Sequence, residues 1–152
     1  MSVPFFFGHG YSFCTQIASV IATCKEVGAS VAEIREQKAN DAISEMTKND
    51  GIVSIIGSGT DEAEEGKWIW ASDGQVIYVN NATVDGIFTH WANATGQTAP
   101  TNDKTKNCMV MPKGGPNAGK WKDAPCNVKT VICEARPVNG VTKYMDQLDG
   151  IR

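Results

Sequence analysis

Between Cys14 and Val27 the apolar residues Ile17, Val20, Ile21, Cys24 and Val27 recur three and four positions apart, and Gly28 follows them. That spacing predicts a helix with one buried face, stopped by the glycine. A second stripe, Ile34, Lys38, Ile43 and Met46, predicts a helix over 34–46, ended by Asn49-Asp50-Gly51. The run from Ile52 to Ile56 reads as a buried strand. Near the C-terminus three strands are predicted: Asn107 to Met111, Gly119 to Trp121 and Thr130 to Glu134. The first two are joined through Lys113-Gly114-Gly115-Pro116. Between Ser72 and Lys106 the chain is rich in Asn, Thr, Gly and Asp, with few strand-like runs. A loop of that length is uncommon unless it has a function. Beyond Val138 the spacing of Tyr144, Leu148 and Ile151 suits a short amphipathic helix, so the chain divides into one domain over 1–136 and a tail over 137–152. The tail reads first as a loosely held terminus, with a self-association element as the alternative.

Composition narrows the classes. The 152 residues are 41% hydrophobic and 20% charged, within the globular range, and no apolar run approaches the ~20 residues that span a bilayer. A net charge of -3 and a pI near 5.3 argue against a nucleic-acid binder, which needs a basic stripe to displace phosphate counterions. Met1 to Gly10 holds Phe5-Phe6-Phe7 but no basic start and no cleavage pattern, so it is not read as a signal peptide. Two N-glycosylation patterns, Asn81-Ala82-Thr83 and Asn93-Ala94-Thr95, together with several cysteines, favour an extracellular protein. The cysteine count is five, so at least one thiol lacks an internal partner.

The last quarter adds the most. Cys108-Met109-Val110-Met111, Trp121-Lys122-Asp123, Cys126 and Val131-Ile132-Cys133-Glu134 describe a small disulfide-stapled β unit. With Trp68-Ile69-Trp70 before Ser72-Asp73-Gly74, with Phe88-Thr89-His90-Trp91, and with Cys24 on a helix, the chain from Phe13 to Ala135 resembles the C-type lectin-like domain. The resemblance implies an α+β fold in which two helices flank small antiparallel sheets, with a long loop region and two internal disulfides. By the same resemblance the pairs are Cys24 with Cys133 and Cys108 with Cys126. Cys14 is left as a thiol that is either buried and unreacted or paired between molecules.

Sugar-binding members of that family use a calcium ion held by acidic or amide residues on each side of a proline, a later carboxylate, and an Asn-Asp pair after a tryptophan. Here Pro100 stands between Ala99 and Thr101, the later carboxylate is Lys106, and the Asn is Lys122; Asp123 remains. Lysine offers no acceptor and repels a divalent cation, so the usual calcium and sugar site lacks its ligands. A shifted alignment would use Gln97 or Asn102. A second, structural calcium position is better matched, by Asp61 and Glu65, with Asn102 or Asp103 and Asn107 to supplement them. The bland alternative is a solvated acidic loop of Asp61, Glu62, Glu64 and Glu65. This reading requires no cofactor, and a structural calcium at Asp61 and Glu65 stays one of the two alternatives for that loop.

The expected function is a secreted, calcium-independent recognition module for a glycan or anionic ligand. Lys104, Lys106 and Lys122 would act beside Asp123, Pro100, Asn102 and Trp91. The lysines have a bland alternative as ordinary surface charge. A protein-interaction or structural role without sugar binding, with a homodimer linked through Cys14, is the competing function. An enzyme is not expected: the histidines are His9 and His90, and no phosphate loop, His-Glu-x-x-His or nucleophile elbow occurs. His90 is expected to make a loop hydrogen bond, and Trp68, Trp70, Trp91 and Trp121 to be mostly core.

Overall fold

A computed structural model of the chain describes residues 5–9, 17–50, 54–55, 57–112, 116–127 and 130–135. Cys14, His9's side chain and the tail over 137–152 lie outside the described set. Helix α1 (Ile17–Lys25) buries Val20 and Cys24, as its apolar stripe predicts. It closes in a Schellman arrangement: Ala29 N–H reaches Cys24 O at 3.0 Å, Gly28 N–H reaches Lys25 O at 2.9 Å, and Gly28 takes φ 73°. Helix α2 (Gln37–Asp50) starts three residues later than the stripe predicted. Ile34 is fully buried, but on extended chain: Ala32 N–H donates to Ile132 O at 2.9 Å, which carries the β2 segment on toward Ile34. One isolated apolar residue suits either period, and here the strand period won.

The strands among the described residues are β1 (Phe5–His9), β2 (Ser30–Val31), β3 (Ser54–Ile55), β4 (Gly59–Thr60), β5 (Trp68–Trp70), β6 (Val76–Val79), β7 (Ala82–Thr83), β8 (Asn93–Ala94), β9 (Gln97–Thr98), β10 (Cys108–Met111), β11 (Lys122–Ala124) and β12 (Thr130–Glu134). The main sheet runs β1-β12-β3-β10-β11, with β2 also paired to β12. Phe5 lies opposite Glu134 and Cys133 opposite Val31, so the Phe5-Phe6-Phe7 run, unassigned from sequence, is a strand along β12. The second sheet runs β4-β5-β6-β7, and β8 pairs with β9. The stretch from 72 to 106 is therefore less irregular than expected: Val76–Val79 is a strand, and three two-residue strands follow.

The middle C-terminal strand is Lys122–Ala124 rather than Gly119 to Trp121. Gly119 instead sits in a turn at φ 76°, where an added Cβ would lie 2.7 Å from Ser44 Oγ on α2. Trp121 makes an isolated parallel bridge with Trp91.

The sheets meet where β4 crosses β10. A Cβ on Gly59 would fall 1.8 Å from Met109 Sδ, so a side chain there would have to displace the buried Met109. Two clusters result. One holds the buried Trp68, Trp70 and Trp121 with Ile34, Ile43, Met109 and Ile132, and the other surrounds the cysteines with Val20, Val31, Val110 and Val131. Both expected disulfides are present, Cys24–Cys133 and Cys108–Cys126, with Cα separations of 5.5 and 5.1 Å. Among the described residues no helix is long and apolar enough to cross a membrane.

Candidate functional site

The 99–107 loop connects β9 to β10. It begins at a cis Ala99–Pro100 bond, and Ala99 N–H donates to Ala92 O at 2.9 Å. Ala92 in turn donates to Trp121 O at 2.9 Å, and Trp121 N–H donates to His90 O at 2.8 Å. Trp91 is half-buried, edge-on to Trp68 at 5.1 Å, to Trp121 at 5.7 Å and to Tyr78 at 5.8 Å. The tryptophans are thus core, as expected, with Trp91 the least enclosed. His90 departs from expectation: its backbone carbonyl holds Trp121, while its ring stacks on Phe88 at 6.1 Å.

Asp123 is 6% exposed on β11, and Thr101 Oγ1 donates to its Oδ2 at 2.5 Å. The carboxylate next to Lys122 is therefore tied to the loop from within. Lys122 is half-exposed between two residues that alternate with it in burial, so it faces away from Asp123. Lys122 lies opposite Val110 on β10. Lys104 is exposed, and Lys106 Nζ lies 3.8 Å from Asp103 Oδ2.

Asp103 is committed locally. It accepts from Thr105 Oγ1 at 2.6 Å and Thr105 N–H at 2.9 Å, which with Lys106 hold its carboxyl below the usual carboxylate range.

The 61–66 turn lies against this loop: a Cβ on Gly66 would sit 3.6 Å from Asn102 Oδ1. Its acidic residues are not an undifferentiated solvated run. Glu62 Oε2 accepts Ile17 N–H at 2.9 Å and so anchors the start of α1, where a negative charge is favoured. Glu64 Oε2 lies 3.3 Å from Lys67 Nζ. Asp61 and Glu65 point inward. Asp61 is 2% exposed and its Oδ2 accepts Gly66 N–H at 3.0 Å, while Asp61 Oδ1, Glu65 Oε1 and Asn107 Oδ1 are buried with no hydrogen-bond partner. Burial, with the charges of Glu65 and Asp123 adding to it against the Gly66 bond, pushes the Asp61 carboxyl up to about 6. Three buried acceptor oxygens without donors are costly alone and suit a cation. Among the described residues no three Asp, Glu, His or Cys side chains form a metal-holding group, so any such set here joins two carboxylates to amide oxygens.

The sequons differ in setting. Asn81 is exposed at the β6–β7 hairpin tip, with Asn80 and Asn81 at φ 54° and 60°. Asn93 is exposed on β8 and its Oδ1 accepts from Lys120 Nζ at 2.7 Å. The Thr101–Asp123 and Glu62–Ile17 contacts join residues far apart in the chain and leave no local pattern by which to expect them.

Comparison with known proteins gives a match to the family described as Lectin C-type domain over residues 15–135. Among solved structures, herring type II antifreeze protein is similar at 24% identity, over 88% of this chain and 91% of that one, with a TM-score of 0.62. The cow CD23 C-type carbohydrate-recognition domain, described in the presence of a GlcNAc2Man3 oligosaccharide, is 20% identical over 88% of each chain, with a TM-score of 0.60. TC14, a C-type lectin from the tunicate Polyandrocarpa misakiensis, is 17% identical over 90% of this chain and all of that one, with a TM-score of 0.62. At these identities the structures share the fold with the present chain.

Proposed function

The chain belongs to the C-type lectin domain family, and from that premise we propose that it is a non-enzymatic extracellular recognition module which takes a glycan or other anionic ligand on the 99–107 loop without a bridging calcium ion. One observation carries this reading: Asp123, the carboxylate that remains of the usual ligand set, is buried and bonded to Thr101, while Ala99, Thr101, Lys106 and Lys122 bring no carboxylate to it. A cation bridging two sugar hydroxyls needs several more oxygen ligands than one internally used carboxylate supplies. The positive charge of Lys104, Lys106 and Lys122 favours an anionic group instead. The fold shared with the cow CD23 domain makes glycans the first ligand class to screen.

Calcium has a structural place in this reading. Asp61, Glu65 and Asn107 would hold it through their unpartnered oxygens, with Asn102 beside them. Bound there, it would neutralise the buried carboxylates and tie the 61–66 turn to the loop that presents the ligand. The test is binding to an array that includes sulfated and sialylated glycans. The Lys106→Ala, Lys122→Ala double variant should lose at least about tenfold in affinity, equivalent to ~1.4 kcal/mol. Unchanged binding would remove the lysines from the account.

A further inference from the structure

Phe88, His90, Asn93 and Lys120 are linked to one another by ring stacking, a hydrogen bond and charge, and share no residue with the buried cation ligands. Phe88 and His90 are half-buried, and their rings lie within 10° of parallel. Phe88 is held edge-on to the fully buried Trp121 at 5.8 Å, so the strip rests on the core rather than on a mobile loop. Beside it Lys120 Nζ donates to the exposed Asn93 Oδ1 at 2.7 Å, and the exposed Asp41 on α2 is near enough to act electrostatically on His90. Burial and the charge of Lys120 lower the His90 pKa, against the effect of Asp41, so at pH 7 the ring is neutral, with one donor and one acceptor nitrogen.

This surface differs in chemistry from the lysine-bearing loop. It offers apolar ring area flanked by one cation, one carboxylate, an amide and a neutral imidazole, so its charges balance. A pyranose ring has an apolar C–H face and a rim of hydroxyls that both donate and accept. Aromatic area with a few flanking polar groups of mixed donor and acceptor character complements such a molecule, whereas an anion would gain nothing from Asp41. We propose that the Phe88–His90 strip, with Asn93 and Lys120 at its edge, is a subsite for the apolar face of a neutral pyranose. The proposal rests on the reading of the domain as a glycan-recognition module, and adds a calcium-free position separate from the 99–107 loop.

The test is an amide chemical-shift titration of the full-length chain, with both disulfides formed and chelator present. The probes are the methyl pyranosides of glucose, galactose and mannose, followed by a sulfated glycoside. At least one neutral glycoside should give saturable shifts confined to residues 88–93 and 120. His90→Ala and Phe88→Ala should weaken that binding by about tenfold and Lys120→Ala by about threefold. Because Phe88 also packs on Trp121, the His90 and Lys120 variants carry the test if Phe88→Ala fails to fold. Absence of shifts with all three neutral glycosides, shifts confined to 99–107, or binding unchanged in His90→Ala would overturn the subsite. A sulfated glycoside that shifts only 99–107, with no neutral glycoside bound, would overturn it and leave the loop reading intact.

Discussion

Asp61 is the residue at which the fold and the proposed structural calcium meet most directly. Without a cation its buried carboxyl titrates near 6 instead of its ordinary 3.8. The native state therefore binds a proton that the unfolded chain has already released between roughly pH 4 and 6. This group's contribution makes the metal-free protein lose stability as pH rises through that window and level off above about 6. Asp61→Asn should flatten that dependence and raise the stability of the chelated protein at pH 7, as read by urea unfolding across pH. It should also abolish any calcium-induced stabilisation. At the second site Thr101→Val strands a buried acceptor on Asp123, and should cost about 1 to 3 kcal/mol in the same assay. The proposed pairing of Asp61 with Glu65 rests on the family resemblance, whose pattern places a Glu four residues after an Asp. The bond from Thr101 to Asp123 spans 22 positions and leaves no trace in either segment's composition.

At the scale of elements, α2 is fixed to the β10–β11 region by one amide. Asn40 Nδ2 donates to Gly119 O at 3.0 Å, and Asn40 Oδ1 accepts from Trp121 Nε1 at 2.7 Å. Both bonds are buried, so Asn40→Ala should destabilise the fold by about 2 to 3 kcal/mol, measured as a shift in the urea midpoint at unchanged slope. The amphipathic period located both helices, because about two and a half turns in α1 and about four in α2 repeat one choice. It misplaced the start of α2 because Ile34 serves an extended segment whose burial mimics one more helical position. The strands β7, β8 and β9 are two residues each, too short to show an alternation, and their pairing is settled by hairpin geometry and by the tryptophans beneath. Gly119 misled for a related reason: it borders apolar residues like a strand end, but α2 packs too close for a side chain there.

Over the whole molecule, Cys24–Cys133 joins α1 to β12 across 109 residues, and the chain-entropy estimate for a loop of that size is about 4.7 kcal/mol. Cys108–Cys126 closes 18 residues and stabilises less. Reductant should therefore lower the melting temperature sharply, whether or not calcium is present. Calcium at one hundred times its dissociation constant should add about 2.7 kcal/mol to the oxidised protein. The disulfide frame and the fold class were legible in the spaced cysteines and tryptophans. The proposed division between a lost bridging site and a retained structural one rests on which carboxylates the sequence keeps. What the chain binds was not, because ligand choice depends on side chains that only the folded loops bring into register.

The central claim is recognition without a bridging calcium ion. The most direct measurement is a glycan array, with sulfated, sialylated and neutral members, probed with the full-length protein in calcium and again in chelator at a temperature where circular dichroism shows it folded in both. The account predicts that the same glycans are bound in both conditions, with at most a modest loss of intensity in chelator. Binding that vanishes in chelator while the protein remains folded, and returns with calcium, would contradict it.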